Sequence, residues 1–160
     1  MPADSQTARA WTIRALRPDD LPSVAKILRN AAEAAQWPIE SYDKLLSLPG
    51  SLALVCEAQN GISGFLIARQ VAEEAEVLNL AVLAESRRKG YASALLAAAI
   101  ERFQNSGVLR IFLEVRESNQ AARAFYLKHG FFSSGRRKAY YRDPIEDALC
   151  LQKKLGTRRG

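Results

Sequence analysis

The sequence predicts a single α/β domain built on a mixed sheet. The chain has 160 residues, which is about the size of one domain. Asn60-Gly61 lies between two apolar runs, a strong hairpin signal that indicates antiparallel strands in the first half. In the second half, strands alternate with helices, which indicates at least one parallel pair. We therefore expect a mostly antiparallel sheet with a parallel pair at its centre and flanking helices.

The first half is predicted to begin with a strand at residues 11–16, where polar and apolar residues alternate. Arg17-Pro18-Asp19-Asp20 is typical of a turn with an aspartate N-cap, and apolar residues at helical spacing extend a helix to about Ala35. Pro38 ends that pattern. A second helix is then expected at residues 39–48, before Pro49-Gly50, followed by hairpin strands at 52–58 and 65–71.

Residues typical of helix ends and caps divide the second half in the same way. Gly107 ends an Ala- and Leu-rich helix, Ser118-Asn119 is a candidate cap, and Gly130 closes the helix that follows. The predicted helices are residues 91–103 and 120–128, and the predicted strands are residues 77–83, 109–115, 131–134 and 148–155. Residues 1–10 are expected to form a flexible tail, 11–156 the domain and 157–160 a basic tail.

Composition excludes several classes of protein. Two cysteines, Cys56 and Cys150, exclude a disulfide scaffold and are expected to be small core residues. The single histidine, His129, excludes multi-histidine metal sites and is expected to cap a helix, so we expect no metal. No apolar run approaches the roughly 18 residues of a membrane span, and the N-terminus has no secretory h-region. We therefore expect a cytoplasmic protein without a membrane partner.

The net charge of +6, from 23 basic and 17 acidic residues, favours an anionic partner. Nucleic acid, phospholipid and a phosphorylated cofactor all remain open at this point. Nucleic acid is not expected, because no recognition-helix or RNA-stacking motif is found. The basic clusters at residues 136–138 and 153–159 have no assigned role. Arg136-Arg137-Lys138 fits a solvated turn, a cofactor-phosphate contact or a peptide-binding edge, and we favour the turn.

The junction between the apolar strand and the helix at residue 91 carries the clearest chemical signal. Arg87-Arg88-Lys89-Gly90-Tyr91-Ala92 places basic side chains and a glycine at a helix N-terminus, whose unpaired N–H groups attract anions. The segment is neither a P-loop nor a Rossmann fingerprint. Taken alone, it fits a pyrophosphate cradle or a solvated basic turn equally well.

A family resemblance covers nearly the whole chain, from about Ile13 to Leu155. The run from Asn79 to Val82 followed by Arg88-Lys89-Gly90-Tyr91-Ala92 resembles the acetyl-coenzyme A motif of the GNAT N-acetyltransferase superfamily. Leu113-Glu114-Val115-Arg116 with Ser118-Asn119 is, within that superfamily, similar to the ribosomal-protein alanine N-acetyltransferases. So are the later Phe125-Tyr126, Gly130-Phe131, Tyr140-Tyr141 and Glu146-Asp147-Ala148.

The resemblance implies acetyl-coenzyme A as cosubstrate and assigns roles to individual residues. Glu114 is implied as the general base, although by itself it could be a solvated carboxylate or one paired with Arg116. Tyr126 is implied as the general acid, although an aromatic residue at its spacing is more often core. The implied cofactor-binding residues are Leu80, Ala81, Val82, Arg87, Arg88, Lys89, Gly90, Tyr91, Ala92, Ser93 and Asn119. Val82 matches a free backbone N–H for the thioester oxygen, and Asn119 also fits a plain helix N-cap.

The implied acceptor is the N-terminal α-amine of a protein, with a ribosomal protein that begins with alanine as the expected partner. The segment around Trp37–Leu48, where such enzymes shape the acceptor pocket, matches poorly beyond Trp37. Acetylation of a lysine or a small-molecule amine, and a coenzyme A-binding module without turnover, therefore remain alternatives. The sequence leaves the oligomeric state open.

Overall fold

A computed structural model describes residues 10–31 and 34–156. Its elements follow the predicted order, with short 3₁₀ helices added at Pro18–Asp20 and Ala84–Ser86. The helices are α1 (Leu21–Arg29), α2 (Ile39–Leu46), α3 (Tyr91–Asn105) and α4 (Gln120–Lys128). The strands are β1 (Trp11–Ala15), β2 (Ser51–Ala58), β3 (Gly61–Val71), β4 (Glu74–Val82), β5 (Arg110–Arg116), β6 (Phe132–Tyr141) and β7 (Glu146–Lys154). The tails predicted at residues 1–10 and 157–160 lie, apart from Ala10, outside the described residues.

The strands form one seven-stranded sheet in the order β1-β2-β3-β4-β5-β7-β6. Within the described residues β4 and β5 are the parallel neighbours, and every other neighbouring pair is antiparallel. Asn60-Gly61 joins β2 to β3 as a hairpin. The predicted mixed sheet with a central parallel pair is confirmed.

Each face of the sheet is covered by its own pair of helices. On one face, Leu95, Leu96 and Phe103 of α3 pack into a cluster that also includes Tyr126 of α4. On the other face, Ile27 of α1 and Tyr42 of α2 pack against the remaining strand side chains. Full burial of one large apolar side chain contributes roughly 1.5–3 kcal/mol, so these two layers hold the helices to the sheet.

A β-bulge interrupts β4 between its two halves. Ile67 of β3 is opposite Asn79, and Ala68 is opposite Val77, which leaves Leu78 as the extra residue. Before the bulge, the odd-numbered Val77 faces the α3 side of the sheet. After the bulge, the even-numbered Leu80 faces that side. The bulge therefore reverses the alternation of β4 and lies directly before the residues predicted to bind the cofactor.

The first helix is shorter than predicted, because α1 ends at Arg29 rather than near Ala35. Asn30 is its C-cap, and the Gln36 side-chain amide donates to the carbonyl oxygens of Leu28 (3.1 Å) and Ala31 (2.8 Å). These bonds satisfy carbonyl groups that another helical turn would have used, so the chain leaves the helix there.

Asp20 occupies the N-cap of α1, but its carboxylate does not cap the helix. It accepts instead from the Arg17 N–H (2.7 Å) and from both Arg14 Nη atoms (2.8 and 2.9 Å). These contacts hold its pKa below the usual range. Asp20 therefore joins β1 to the start of α1.

The strand predicted at residues 131–134 is in fact much longer, since β6 runs from Phe132 to Tyr141. It pairs with β7 through register shifts, and Ala139 adopts a left-handed φ of 50°. Arg136-Arg137-Lys138 therefore lies on an edge strand and not on a solvated turn. Elsewhere, β3 and β4 begin earlier than predicted, at Gly61 and Glu74.

Replacing Gly50 with alanine is expected to destabilise the fold more than the same change at Gly107. Both have left-handed φ values, 80° and 84°, which cost alanine about 1–2 kcal/mol. A Cβ at Gly50 would also lie 2.1 Å from the Gln70 carbonyl oxygen, whereas one at Gly107 meets nothing within 4 Å. Thermal or urea unfolding of the two variants measures the difference, and equal losses would contradict it.

Candidate active site

The parallel strands β4 and β5 separate after a short paired stretch. They are paired from Glu74–Arg110 to Glu76–Phe112, three residue pairs in all. Beyond these, within the described residues, β4 remains paired with β3 and β5 with β7, but not with each other. The edge of β4 that faces β5, including Leu80 and Val82, therefore presents backbone N–H and C=O groups without a strand partner among the described residues. The groups of Ala81 point to β3 instead, as does the Leu83 N–H, which donates to the Ser63 carbonyl oxygen at 2.8 Å.

The predicted phosphate loop follows β4 directly. Arg87, Arg88 and Lys89 are exposed, and Arg88 adopts a left-handed φ of 67°, which is uncommon for a residue with a side chain. Gly90 is the N-cap of α3 with φ 82°, and no side chain caps the helix there. The first N–H groups of α3, starting at Tyr91 and Ala92, thus have no side-chain acceptor in the described part of the chain and are suited to an anion.

Ser93, in the first turn of α3, is held by His129 of the neighbouring helix. Its Oγ lies 3.0 Å from His129 Nε2. His129 is the C-cap residue of α4, and its carbonyl oxygen accepts from Lys153 Nζ at 2.8 Å. Burial, with the nearby Lys128 and Lys153 ammonium groups, lowers the pKa of His129. The predicted cap position is confirmed, while the contact with Ser93 could not be found from the sequence.

Asn119 lies after β5, at the N-terminus of α4. Its Oδ1 accepts a hydrogen bond from the Ala122 N–H at 3.0 Å, so its role as an N-cap is confirmed. The carboxyl ends of parallel strands meet at one edge of a sheet, which is where ligands bind in open α/β sheets. Asn119 after β5 and Gly90 after β4 therefore lie at the same edge, on either side of the opening.

Glu114 lies on β5, in a cleft of about 490 Å³ on the α2 side of the sheet. Its side chain is 18% exposed. The expected alternative pairing with Arg116 is wrong, because Arg116 binds Glu146 at 3.3 Å and stacks on the Tyr141 ring. The partner of Glu114 is instead Arg137, whose Nε lies 2.8 Å from Oε1. The carboxylate is therefore oriented by the guanidinium and borders the cleft.

Tyr140 is a second partner of Glu114. A hydrogen bond from its hydroxyl to the carboxylate, together with the charge of Glu114, raises the pKa of Tyr140. The Arg137 guanidinium lies 5.5 Å from the centre of the Tyr140 ring. Neither residue was predicted to belong to the site, because β6 was expected to end at Ser134. The available signals were the Tyr140-Tyr141 pair and Arg136-Arg137-Lys138, for which a peptide-binding edge was one alternative but a solvated turn was favoured.

Tyr126 lies on the opposite side of β5 from Glu114. It is 7% exposed and packs edge-on against Phe125 and Phe131, with ring centres 5.1 and 5.3 Å away. Burial raises the pKa of Tyr126, which keeps its phenol protonated. The structure thus does not join Tyr126 to Glu114 directly. It places them on the two faces of the strand that borders the opening.

The described residues contain no group of three or more His, Cys, Asp or Glu side chains arranged to hold a metal ion. In the same part of the chain, no helix is long and apolar enough to cross a membrane.

An opened strand pair that leads to an anion-binding helix, with a carboxylate beside it, suits a transferase that uses a phosphorylated acyl carrier. Comparison with known proteins gives the same class, since residues 21–131 match the acetyltransferase (GNAT) family. The chain belongs to this family and is an acetyl-coenzyme A-dependent acyltransferase.

Relatives cover nearly the whole chain. The ribosomal protein bS18-alanine N-acetyltransferase of Escherichia coli strain K12 is 35% identical over 144 residues, which cover 88% of this chain and 95% of that protein. An N-alpha-acetyltransferase of Saccharolobus solfataricus is 31% identical over 166 residues, which cover 96% of this chain and 98% of that protein. The crystal structure of the Escherichia coli ribosomal-protein-S18-alanine N-acetyltransferase superposes with a TM-score of 0.82 at 30% identity. The superposition covers 94% of this chain and 96% of that chain.

Proposed function

We propose that this enzyme acetylates the N-terminal α-amine of a protein, with a ribosomal protein that begins with alanine as the acceptor. The observation that carries the proposal is Glu114, a carboxylate that is held by Arg137 and lines a cleft beside the separated strands. The names of the relatives support the acceptor class. A ribosomal-protein acceptor also supports the expected cytoplasmic location.

The opening and the loop after it supply a site for acetyl-coenzyme A. In this proposal, the α3 N–H groups with Arg87, Arg88 and Lys89 bind the pyrophosphate, and Ser93 adds a hydroxyl that His129 orients. A second group of residues lines the pantetheine arm: Leu80, Ala81, Val82 and the amide nitrogen of Asn119. The Val82 N–H donates to the thioester oxygen. One preorganised donor of this kind typically raises kcat by a factor of about 10²–10³.

Glu114 and Tyr126 divide the proton transfers in this proposal. Glu114 accepts a proton from the attacking amine, and Tyr126 donates one to the departing thiolate. Transfer from Tyr126 runs uphill, because burial raises its pKa while an ordinary thiol has a pKa near 8.5. Turnover therefore requires that solvent return the proton to the tyrosinate.

The chemistry of the amine favours an N-terminus over a lysine. An unperturbed α-amine has a pKa near 8, against about 10.4 for lysine. The α-amine is therefore closer to its neutral, nucleophilic form at pH 7 by about 2.5 pH units, or roughly 3.4 kcal/mol. A partly buried carboxylate such as Glu114 is strong enough as a base for that smaller task.

A panel of acceptors tests this proposal. Peptides with an N-terminal alanine, including ribosomal protein ends, are expected to release thiol from acetyl-coenzyme A. The same peptides with a blocked N-terminus and a free lysine are expected to be inert, because their amine is almost wholly protonated. Thiol release can be measured by a colorimetric assay. Release with a polyamine but with no peptide would contradict the proposal.

Two substitutions test the assigned roles. Glu114→Gln is expected to lower kcat by about 10²–10⁴, the usual range for a general base, and to leave acetyl-coenzyme A affinity unchanged. Tyr126→Phe keeps the ring packing but removes the proton, so it too should lower kcat without weakening cofactor binding. Rates and calorimetric cofactor affinity separate the two effects.

Glu117→Gln serves as the control, since it removes a carboxylate that pairs with the exposed Arg136 outside the cleft. It should behave as the unmodified enzyme. If Glu114→Gln is fully active at every pH, Glu114 is not the base. If Tyr126→Phe is fully active, the tyrosine serves only in packing.

A further inference from the structure

A second carboxylate, Glu76, lines the cleft of Glu114. Glu76 is opposite Phe112 in the last residue pair that joins β4 to β5. Ala75 and Val77 face the α3 side of the sheet, as do Leu113 and Val115. Glu76 and Glu114 alternate with these residues, so both point to the α2 side, as diagonal neighbours on adjacent strands.

The two carboxylates differ in what already binds them. Glu114 accepts from Arg137 and from Tyr140, which use part of its hydrogen-bonding capacity. In the described part of the chain, no hydrogen bond or close ion pair engages the Glu76 carboxylate, and Glu76 is an exposed residue that lines the cleft. Glu76 is therefore the carboxylate that is open to a cationic group entering from solvent.

Acetylation of an amine requires two protons to leave the nitrogen. An α-amine is mostly an ammonium ion at pH 7, so it must lose one proton before its lone pair can attack. After attack on the thioester carbon, the C–S bond breaks and the nitrogen loses a second proton. The products are the amide, the thiol and one proton released to solvent.

We propose that Glu76 receives the first of these protons: it binds the incoming α-ammonium in the cleft and deprotonates it, and Glu114 takes the second proton during attack. This inference rests on the proposed function, because it concerns the amine acceptor of the same cleft. Glu76 then returns its proton to solvent at the open mouth of the cleft.

The surroundings of Glu76 favour this role. Partial desolvation, reinforced by the charge of Glu114, raises the pKa of Glu76, and the Arg137 guanidinium opposes that change. A raised pKa makes the carboxylate a stronger base. The other charged groups that line the cleft are Arg69 and Glu74. Glu74 lies at the far end of the paired stretch, opposite Arg110, and is therefore further from Glu114.

The test is the pH profile of kcat/KM for an alanine-initiated peptide, measured for Glu76→Gln. The kcat/KM of the variant is expected to be about 10–100-fold lower at pH 7, which is at or below the lower end of the usual contribution of a general base. The loss should shrink toward pH 9, because the α-amine then arrives already neutral. Glu114→Gln should remain impaired across the whole range, since the second proton must still leave.

Glu73→Gln is the matched control. It removes the same charge from an exposed position three residues away, in the turn before β4 and outside the cleft lining, and its profile should superimpose on that of the unmodified enzyme. Glu76→Asp should recover part of the activity at pH 7. The affinity for acetyl-coenzyme A should be the same in every variant, which shows that each is folded.

Three results would overturn the inference. One is a Glu76→Gln profile identical to that of the unmodified enzyme, another is a loss that does not depend on pH, and the third is an equal loss in Glu73→Gln. Failure of the proposed function is distinct, because the unmodified enzyme would then acetylate no N-terminal peptide at any pH.

Discussion

The early end of pairing between β4 and β5 is the constraint on which the site depends. The bulge at Leu78 begins two residues after the last pair, and a bulge bends its strand and increases its twist. Beyond the bulge, Asn79 is buried and donates to the Tyr42 hydroxyl at 3.1 Å and to the Ala35 carbonyl oxygen at 3.0 Å. These contacts anchor β4 on the α1 and α2 side and hold it away from β5.

The separation gives each chemical task its own position. The β4 edge is left without a partner where an acyl carrier needs a backbone donor, and Gly90 begins α3 at the end of that edge. On β5, Glu114 faces the cleft and the buried Tyr126 packs behind the opposite face. In the proposed mechanism the base and the acid therefore act from the two faces of one strand, the base on the attacking amine and the acid on the departing thiolate.

The sequence predicted the parts of the fold whose signals are local. The Asn60-Gly61 hairpin, the helix from Gln120 to Lys128 and the glycine at the start of α3 each follow from neighbouring residues. The end of α1 depends on Gln36 folding back on the helix, and the length of β6 depends on its pairing with β7. Neither a side chain that returns to the preceding helix nor the pairing of distant strands leaves a periodic pattern in the sequence.

The same limit applies to the site. The loop at residues 87–92 could be read as an anion cradle because its chemistry is contiguous. The partner of Glu114 could not be predicted in this way. Arg137 lies near Glu114 because the sheet order is β5-β7-β6 and because β6 extends further than expected. Glu76 was missed for a related reason, since its proximity to Glu114 depends on the short parallel register between β4 and β5.

A crystal structure of the enzyme with acetyl-coenzyme A tests most directly whether the separation of β4 and β5 forms the cofactor site. We expect the pantetheine arm to lie between β4 and β5, with the thioester oxygen within hydrogen-bonding distance of the Val82 N–H. We also expect the pyrophosphate to lie on the first N–H groups of α3. A cofactor bound elsewhere, or β4 and β5 joined by hydrogen bonds through Val82, would contradict the account.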